Sequence, residues 1–345
     1  VDTSAAGTAV VSNNGDGSGS VTGGFPTVTY SEIENFTITG TVDIELQGTA
    51  NADDIEILVN GSDIEYRLGA TLIGTSALSG TTSITVKGGD GDDSLTIDAA
   101  LAAAGITVDY DGEGQDSTSP GDVLNLLGTT TSVEYFFVDS NSGSIRIDGA
   151  GTDFITYSGL EPITSTINTT NVTLNYSAVA EIITISDAGG GQTTVTSTAG
   201  ELLTFTNPDG LLTINTGDGA DQIELNSLAS DFTASLTING EGAADTLNVN
   251  GSLTFDAGKN VELNVESITV ANGTVLTAAS IALNADTVDL DGDLVAATVS
   301  GDAATVNVLG SAGGADIQDA VDVAGTGGII NIAAGIYHAS GTLEI

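Results

Sequence analysis

The stretch Gly88-Gly89-Asp90-Gly91-Asp92-Asp93-Ser94-Leu95-Thr96 packs three carboxylates and three glycines into its first six residues. Glycine permits the positive φ that a tight turn needs. Carboxylates and turn carbonyls together supply the roughly six to eight oxygens that a hard cation such as Ca2+ takes. Leu95 is expected to point inward and anchor the turn. A shorter copy, Gly217-Asp218-Gly219-Ala220-Asp221-Gln222-Ile223-Glu224, lies further along the chain. Acidic turns also follow each copy, at Asp111-Gly112-Glu113-Gly114 and at Gly240-Glu241-Gly242-Ala243-Ala244-Asp245. The candidate metal ligands are therefore Asp90, Asp92, Asp93, Asp111 and Glu113 in the first cluster, and Asp218, Asp221, Glu241 and Asp245 in the second. Neighbouring half-sites are expected to pair laterally, Asp90 and Asp93 with Asp111 and Glu113. The same residues also suit plain reverse turns, in which glycine and aspartate serve only the backbone.

Catalytic chemistry is not legible. The single histidine is His338, cysteine is absent, and no G-x-S-x-G occurs. The basic residues are Arg67, Lys87, Arg146 and Lys259, spread over separate segments. Lys87 adjoins the first acidic turn, but Asn215 stands at its place in the second copy, so a salt bridge is the expected role. No catalytic residue is assigned, and the chain does not read as an enzyme.

The 345 residues carry 47 acidic and 4 basic side chains, a net charge of −43. Phosphate binding needs a basic surface, so nucleic acid is not an expected partner. Anionic membranes are disfavoured for the same reason. No apolar run approaches the ~20 residues that span a bilayer, so no membrane insertion is expected. Hydrophobic residues still make up 40%, with few aromatics and no Trp or Met. They alternate with polar ones, which suits thin β layers rather than disorder. With no cysteine there is no disulfide framework, and bound calcium is the expected staple.

The chain also repeats itself, with a long period of about 127 residues. Ser18-Gly19-Ser20-Val21 recurs as Ser142-Gly143-Ser144-Ile145, and Thr29-Tyr30-Ser31 as Thr156-Tyr157-Ser158. Asp54-Ile55-Glu56-Ile57 matches the 181–185 region, and the acidic turns follow in the same order. A finer period runs inside each repeat: Ile84-Thr85-Val86 precedes one turn and Ile106-Thr107-Val108 the next. Leu212-Thr213-Ile214 and Leu236-Thr237-Ile238 do the same in the second copy. Strand, Gly/Asp turn, strand and corner in ~20–25 residues is one coil of a solenoid. The expected fold is all-β, a parallel β-helix or β-solenoid of two repeats, with tandem β-sandwich domains as the alternative.

Five segments are expected: a lead-in strand segment over 1–17, repeat one over 18–141, repeat two over 142–265, a strand-rich continuation over 266–311, and a cap over 312–345. In that cap, residues 317, 320, 321 and 324 have helical spacing, and a Gly-rich break at 325–328 follows. The chain has no start Met or signal peptide and stops in the strand-like run Gly341-Thr342-Leu343-Glu344-Ile345, so it reads as part of something longer.

Two resemblances emerge from these residues. Gly88–Thr96 fits G-G-x-G-x-D-x-U-x, the calcium-binding nonapeptide of RTX proteins. Here the turns are isolated from one another, whereas the RTX pattern is tandem. The run Ile317-Gln318-Asp319-Ala320-Val321-Asp322 with Gly328-Ile329-Ile330-Asn331-Ile332 resembles the helix-capped entry of pectate-lyase-like right-handed β-helices. As a whole, the chain resembles giant repetitive, acidic, calcium-binding bacterial surface proteins of the adhesin type. That resemblance implies export, a role outside the cell at its surface, Ca2+ as the bound cofactor, and association with copies of itself as an oligomer or filament. Surface glycans are a further possible partner. The expected function is a structural segment of an extracellular fibre, stalk or adhesin. The alternatives are a carbohydrate-binding or polysaccharide-active β-helix and a halophile surface-layer protein.

Overall fold

The computed structural model describes residues 9–13, 18–23, 27–31, 37–38, 42–115, 121–149, 151–230, 232–309 and 316–334. His338, residues 117–120 of the stretch Ser117–Gly121 that the first copy inserts before Asp122, and the terminal run 341–345 lie outside them. The protein is all-β with long parallel sheets and two compact units, Val1–Asn168 with Glu201–Leu203, and Thr169–Gly200 with Thr204–Ile345.

The first unit contains two parallel ladders. Ala9–Asn13, Val42–Gln47, Thr81–Asp90, Thr107–Gly114 and Ile155–Ser158 pair successively in parallel. Asp54–Asn60, Ser94–Asp98, Val123–Leu127 and Ile163–Ser165 form the second. From Val42 on, these strands fall alternately in the two ladders along the chain. A sandwich would pair its strands antiparallel. The observed Thr81–Asp90/Thr107–Gly114 register puts Ile84 opposite Val108 and Val86 opposite Tyr110. This corrects the expected Ile84/Ile106 equivalence by two positions. A short helix, Ala100–Ala103, lengthens that corner, and Ile106 is buried before the strand begins.

In the second unit one ladder runs Asn171–Asn175, Leu211–Asn215, Ser235–Asn239, Asn260–Asn264, Ser280–Asn284, Thr298–Gly301. The other runs Ile182–Gly189, Gln222–Leu225, Thr246–Val249, Ser267–Val270, Thr287–Leu290, Ala303–Val308, Ala324–Ile332. Alternation sends every second residue inward. Leu212, Leu236, Val261 and Ile281 stack in register and are all buried, as are Ile214, Ile238 and Leu263. Stacked branched side chains of similar length need no aromatic filler, which fits the composition.

The last residue of each of the first five strands in that first ladder is asparagine. Asn215 donates to Asn175, Asn239 to Asn215, Asn264 to Asn239 and Asn284 to Asn264, at 2.7–2.8 Å. Within the row the three interior amides, Asn215, Asn239 and Asn264, each give one hydrogen bond and receive one, a half-buried line that fixes the register.

Alternation alone does not announce the antiparallel excursions. Ala9–Asn13, Gly19–Thr22 and Val28–Tyr30 form a meander, and Ser132–Asp139, Ser142–Ile147 and Ile155–Ser158 form another. Gly19 faces Tyr30 in the first, and Gly143 faces Tyr157 in the second. A Cβ on either glycine would meet the tyrosine hydroxyl, so the repeated Ser-Gly-Ser and Thr-Tyr marks are two halves of one contact. Asp54–Asn60 and Ile182–Gly189 likewise both open hairpins, to Asp63–Leu68 and Gln192–Ser197. Among the described residues the first twelve strands match the next twelve one for one.

The expected helix is observed over Ile317–Val323, with Asp316 accepting from the Gln318 amide at 2.9 Å. Its buried face is Asp319, Ala320 and Val323 rather than the 317/320/321/324 stripe. The Gly-rich stretch 325–328 is not a break. It forms a bulge inside Ala324–Ile332, where the partner of Ala303 is Ala324 and that of Thr305 is Ile329.

Candidate functional site

Both acidic clusters fall at the corner where a first-ladder strand turns into a second-ladder strand. The strand Thr81–Asp90 sends Ile84, Val86 and Gly88 inward. Gly89 and Gly91 then take φ of +112° and +125°, which L side chains rarely adopt. Asp93 closes the corner. The register sets Lys87 opposite Asp111, Gly89 opposite Glu113 and Asp90 opposite Gly114.

The corner sorts its acids into two layers. Asp90, Asp111, Glu113, Asp218 and Glu241 are exposed and Asp92 is half-buried, while Asp93, Asp221 and Asp245 are buried. Of the lateral pairing expected from sequence, Asp90 and Glu113 both lie on the outside of adjoining strands, offset by one position, while Asp93 goes to the inner layer. In the second cluster Asp218 lies against Gly242 on the outside. Glu113 holds a left-handed φ of +63° where its neighbour in register is glycine, and it accepts a hydrogen bond from Gln47 at 3.2 Å.

The inner acids form a carboxylate–amide ladder. Asp93 Oδ1 accepts from the Asp53 amide at 2.7 Å, and Asp122 Oδ1 accepts from the Asp93 amide at 2.7 Å. In the second copy Asp221 accepts from the Glu181 amide, Asp245 from the Asp221 amide and Glu266 from the Asp245 amide, each at 2.8 Å. Each acid therefore caps the backbone at the start of the preceding strand of the second ladder. Asp122, Glu181 and Glu266 belong to this row and are absent from the ligands expected from sequence. Asp53, Asp93, Asp221 and Asp245 stand five positions after Gly48, Gly88, Thr216 and Gly240, and Glu181 keeps that spacing but has Tyr176 in the glycine's place. Before Asp122 the insertion Ser117–Gly121 stretches that spacing to ten positions after Gly112.

The second oxygens are left without partners. Asp93 Oδ2, Asp122 Oδ2, Asp221 Oδ2, Asp245 Oδ2 and Glu181 Oε1 are buried and accept no hydrogen bond. A Cβ on Gly88 would lie 2.5 Å from Asp93 Oδ2 and 2.7 Å from the Gly112 carbonyl oxygen. A Cβ on Gly112 would collide with Asp122 Oδ2 and the Gly159 carbonyl, and one on Gly240 with Asp245 Oδ2. The first glycine of the motif is thus the cradle in which the carboxylate rests, a second role beside making a turn.

Stacked carboxylates at the ~4.8 Å spacing of neighbouring strands repel one another. Burial, and then the charges of Asp53, Asp92 and Glu113, push Asp93 up to about 6 despite the Asp53 amide. Burial likewise takes Asp122 and Asp245 to about 6 and Glu181 to about 7. At neutral pH this row calls for a counter-charge. No described lysine or arginine forms an ion pair with it; the ion pairs among the described residues are Arg67–Glu65 and Arg146–Asp153. Carboxylate and carbonyl oxygens alone, some of them orphaned, are the donor set that suits calcium. Among the described residues, no three of Asp, Glu and His converge as a ready-made metal group.

The fold and site define an all-β protein with repeat-like parallel strand architecture and acid-lined corners. The chain matches no protein-family model, and comparison with curated proteins and with solved structures found no match. No helix among the described residues is long and apolar enough to cross a membrane.

Proposed function

We propose that this chain is a structural segment of an extracellular, calcium-stabilised surface fibre, stalk or adhesin, built of β-solenoid coils in two long repeats. The observation that carries this reading is the pair of rows that frame one corner: the asparagine ladder and, a few residues on, the carboxylate ladder. Both link coil to coil by side chains, so every coil depends on its neighbours. That is the logic of a linear load-bearing stack rather than of a pocket.

Calcium has a defined task in this reading. It neutralises the corner, with Asp90, Asp92, Asp93, Asp111 and Glu113 around the first turn and Asp218, Asp221, Glu241 and Asp245 around the second. Extracellular modules bind calcium with Kd of ~10⁻⁴–10⁻³ M. At ~10 mM calcium and a Kd of ~0.1 mM, each site adds about 2.7 kcal/mol. Calcium is scarce inside cells and plentiful outside, so the fold hardens where it works.

Limited proteolysis of the purified chain tests this. In ~5 mM calcium a protease-resistant core spanning the described ladders is expected, and chelation should speed its digestion at least tenfold. Equal digestion rates with and without calcium would contradict a calcium-stiffened scaffold.

A further inference from the structure

The first acidic turn offers a cation two positions, one among the exposed acids and one on the core side of the corner. The core side is the better defined. Asp93, Asp122 and Tyr110 are at most 1% exposed, and Asp93 Oδ2, Asp122 Oδ2 and Tyr110 Oη all lack a hydrogen-bond partner. Asp93 Oδ2 shares the slot over Gly88 with the Gly112 carbonyl oxygen, and Asp122 Oδ2 shares the slot over Gly112 with the Gly159 carbonyl oxygen. Tyr110 lies two positions before Gly112 on the same inward row, and burial, then the charges of Asp122 and Asp93, hold the proton on its hydroxyl. One phenol proton cannot satisfy two orphaned carboxylate oxygens, and the Gly159 carbonyl is already held by Gln115 Nε2 at 3.2 Å. Lys87, the nearest base in sequence, is on the opposite, outward row.

We propose that the calcium ion of the first acidic turn is enclosed on the core side of the corner, between Asp93 Oδ2 and Asp122 Oδ2, with Tyr110 Oη closing its oxygen shell. This rests on the calcium reading above and adds Asp122 and Tyr110 to it. The ion then spans two successive coils, and it is trapped only when the Val123–Leu127 strand has docked on Ser94–Asp98. Metal uptake becomes a lock on coil stacking, since binding energy that requires the folded site is folding energy. The second copy has Ile238 where the first has Tyr110, so its corner lacks the phenol.

The chain contains no tryptophan, so tyrosine is the antenna for a bound lanthanide. Tb3+ added to the full chain, excited through tyrosine, should give sensitised emission that calcium displaces. Tyr110→Phe should remove a third or more of that emission while the calcium-induced rise in melting temperature persists. Asp122→Asn keeps an oxygen for the Asp93 amide, and should weaken Tb3+ binding at the first turn at least tenfold. Should Tyr110→Phe leave the emission unchanged, with calcium still raising the melting temperature, the ion sits among the outer acids; this inference falls and the calcium reading stands. If the unaltered chain binds neither Tb3+ nor calcium, both fall.

Discussion

In a chelating buffer the protein should melt at a higher temperature at about pH 4.5 than at about pH 7.5. The corner carboxylates dictate the sign. Asp93, Asp122 and Asp245 stand near 6 and Glu181 near 7 in the fold, raised above their ordinary 3.8 and 4.5 chiefly by burial. Folded-state values above the unfolded ones mean that the native chain holds protons the unfolded chain has released. The contribution is fully present below about pH 4 and is lost as pH rises through about 6 to 7. Each group is worth on the order of 1–3 kcal/mol. With several groups acting together, a difference of about 10 °C is expected between the two pH values. Release of repulsion within a chain of net charge −43 acts in the same direction. Asp139, held below the ordinary range by the Asn141 amide and the Ser142 hydroxyl, opposes this only in stronger acid. A melting temperature that climbs from pH 4.5 to 7.5 without metal would mean that the inner row is charged and already compensated.

Gly88→Ala should destabilise the protein by more than about 3 kcal/mol in urea unfolding. The new methyl would lie 2.5 Å from Asp93 Oδ2 and 2.7 Å from the Gly112 carbonyl oxygen. Neither atom can retreat cheaply. Asp93 is tied through Oδ1 to the Asp53 amide, and Gly112 is main chain in the adjoining strand. Overpacking of this kind shifts backbone rather than a side-chain tip. Gly151→Ala is the control. Its Cβ would meet nothing within 4 Å and its φ is not positive, so a change within about 0.5 kcal/mol is expected. Comparable costs for the two substitutions would refute the cradle.

Much of the fold can be read from residue order. The strands Ser267–Val270, Ser280–Asn284 and Thr287–Leu290 fall where strict alternation puts them, because period-2 burial leaves little choice. The step from Leu212 to Leu236 is legible for the same reason. The step from Ile84 is not. A one-turn helix and the buried Ile106 fill that corner, and residues of alternating polarity align equally well two positions away. The meanders are hidden because an antiparallel excursion has the same alternation as a strand of a parallel ladder. Only the Gly19–Tyr30 and Gly143–Tyr157 contacts distinguish them, and those are tertiary.

At the site, sequence locates the corner and most of its acids but not their direction. Asp90, Asp92 and Asp93 are equivalent as letters, and it is the closing residue of the turn, Asp93, that reaches the Asp53 amide ahead of the Asp54–Asn60 strand. Asp122 is hidden by an insertion, and Glu181 and Glu266 by their lack of flanking glycine. Tyr110 reads as core. Its importance comes from the two unpaired carboxylate oxygens, which no linear pattern announces.

The measurement that bears most directly on a calcium-stabilised scaffold is thermal unfolding of the purified chain at neutral pH and fixed ionic strength, in EDTA, in ~5 mM CaCl2 and in ~5 mM MgCl2. Calcium should raise the melting temperature by about 10 °C or more. Magnesium should do little, since it demands tighter octahedral geometry and gives up water reluctantly. An equal shift with both ions would reduce the effect to screening. No shift with either would contradict the account, leaving acidic corners whose carboxylates serve only the backbone.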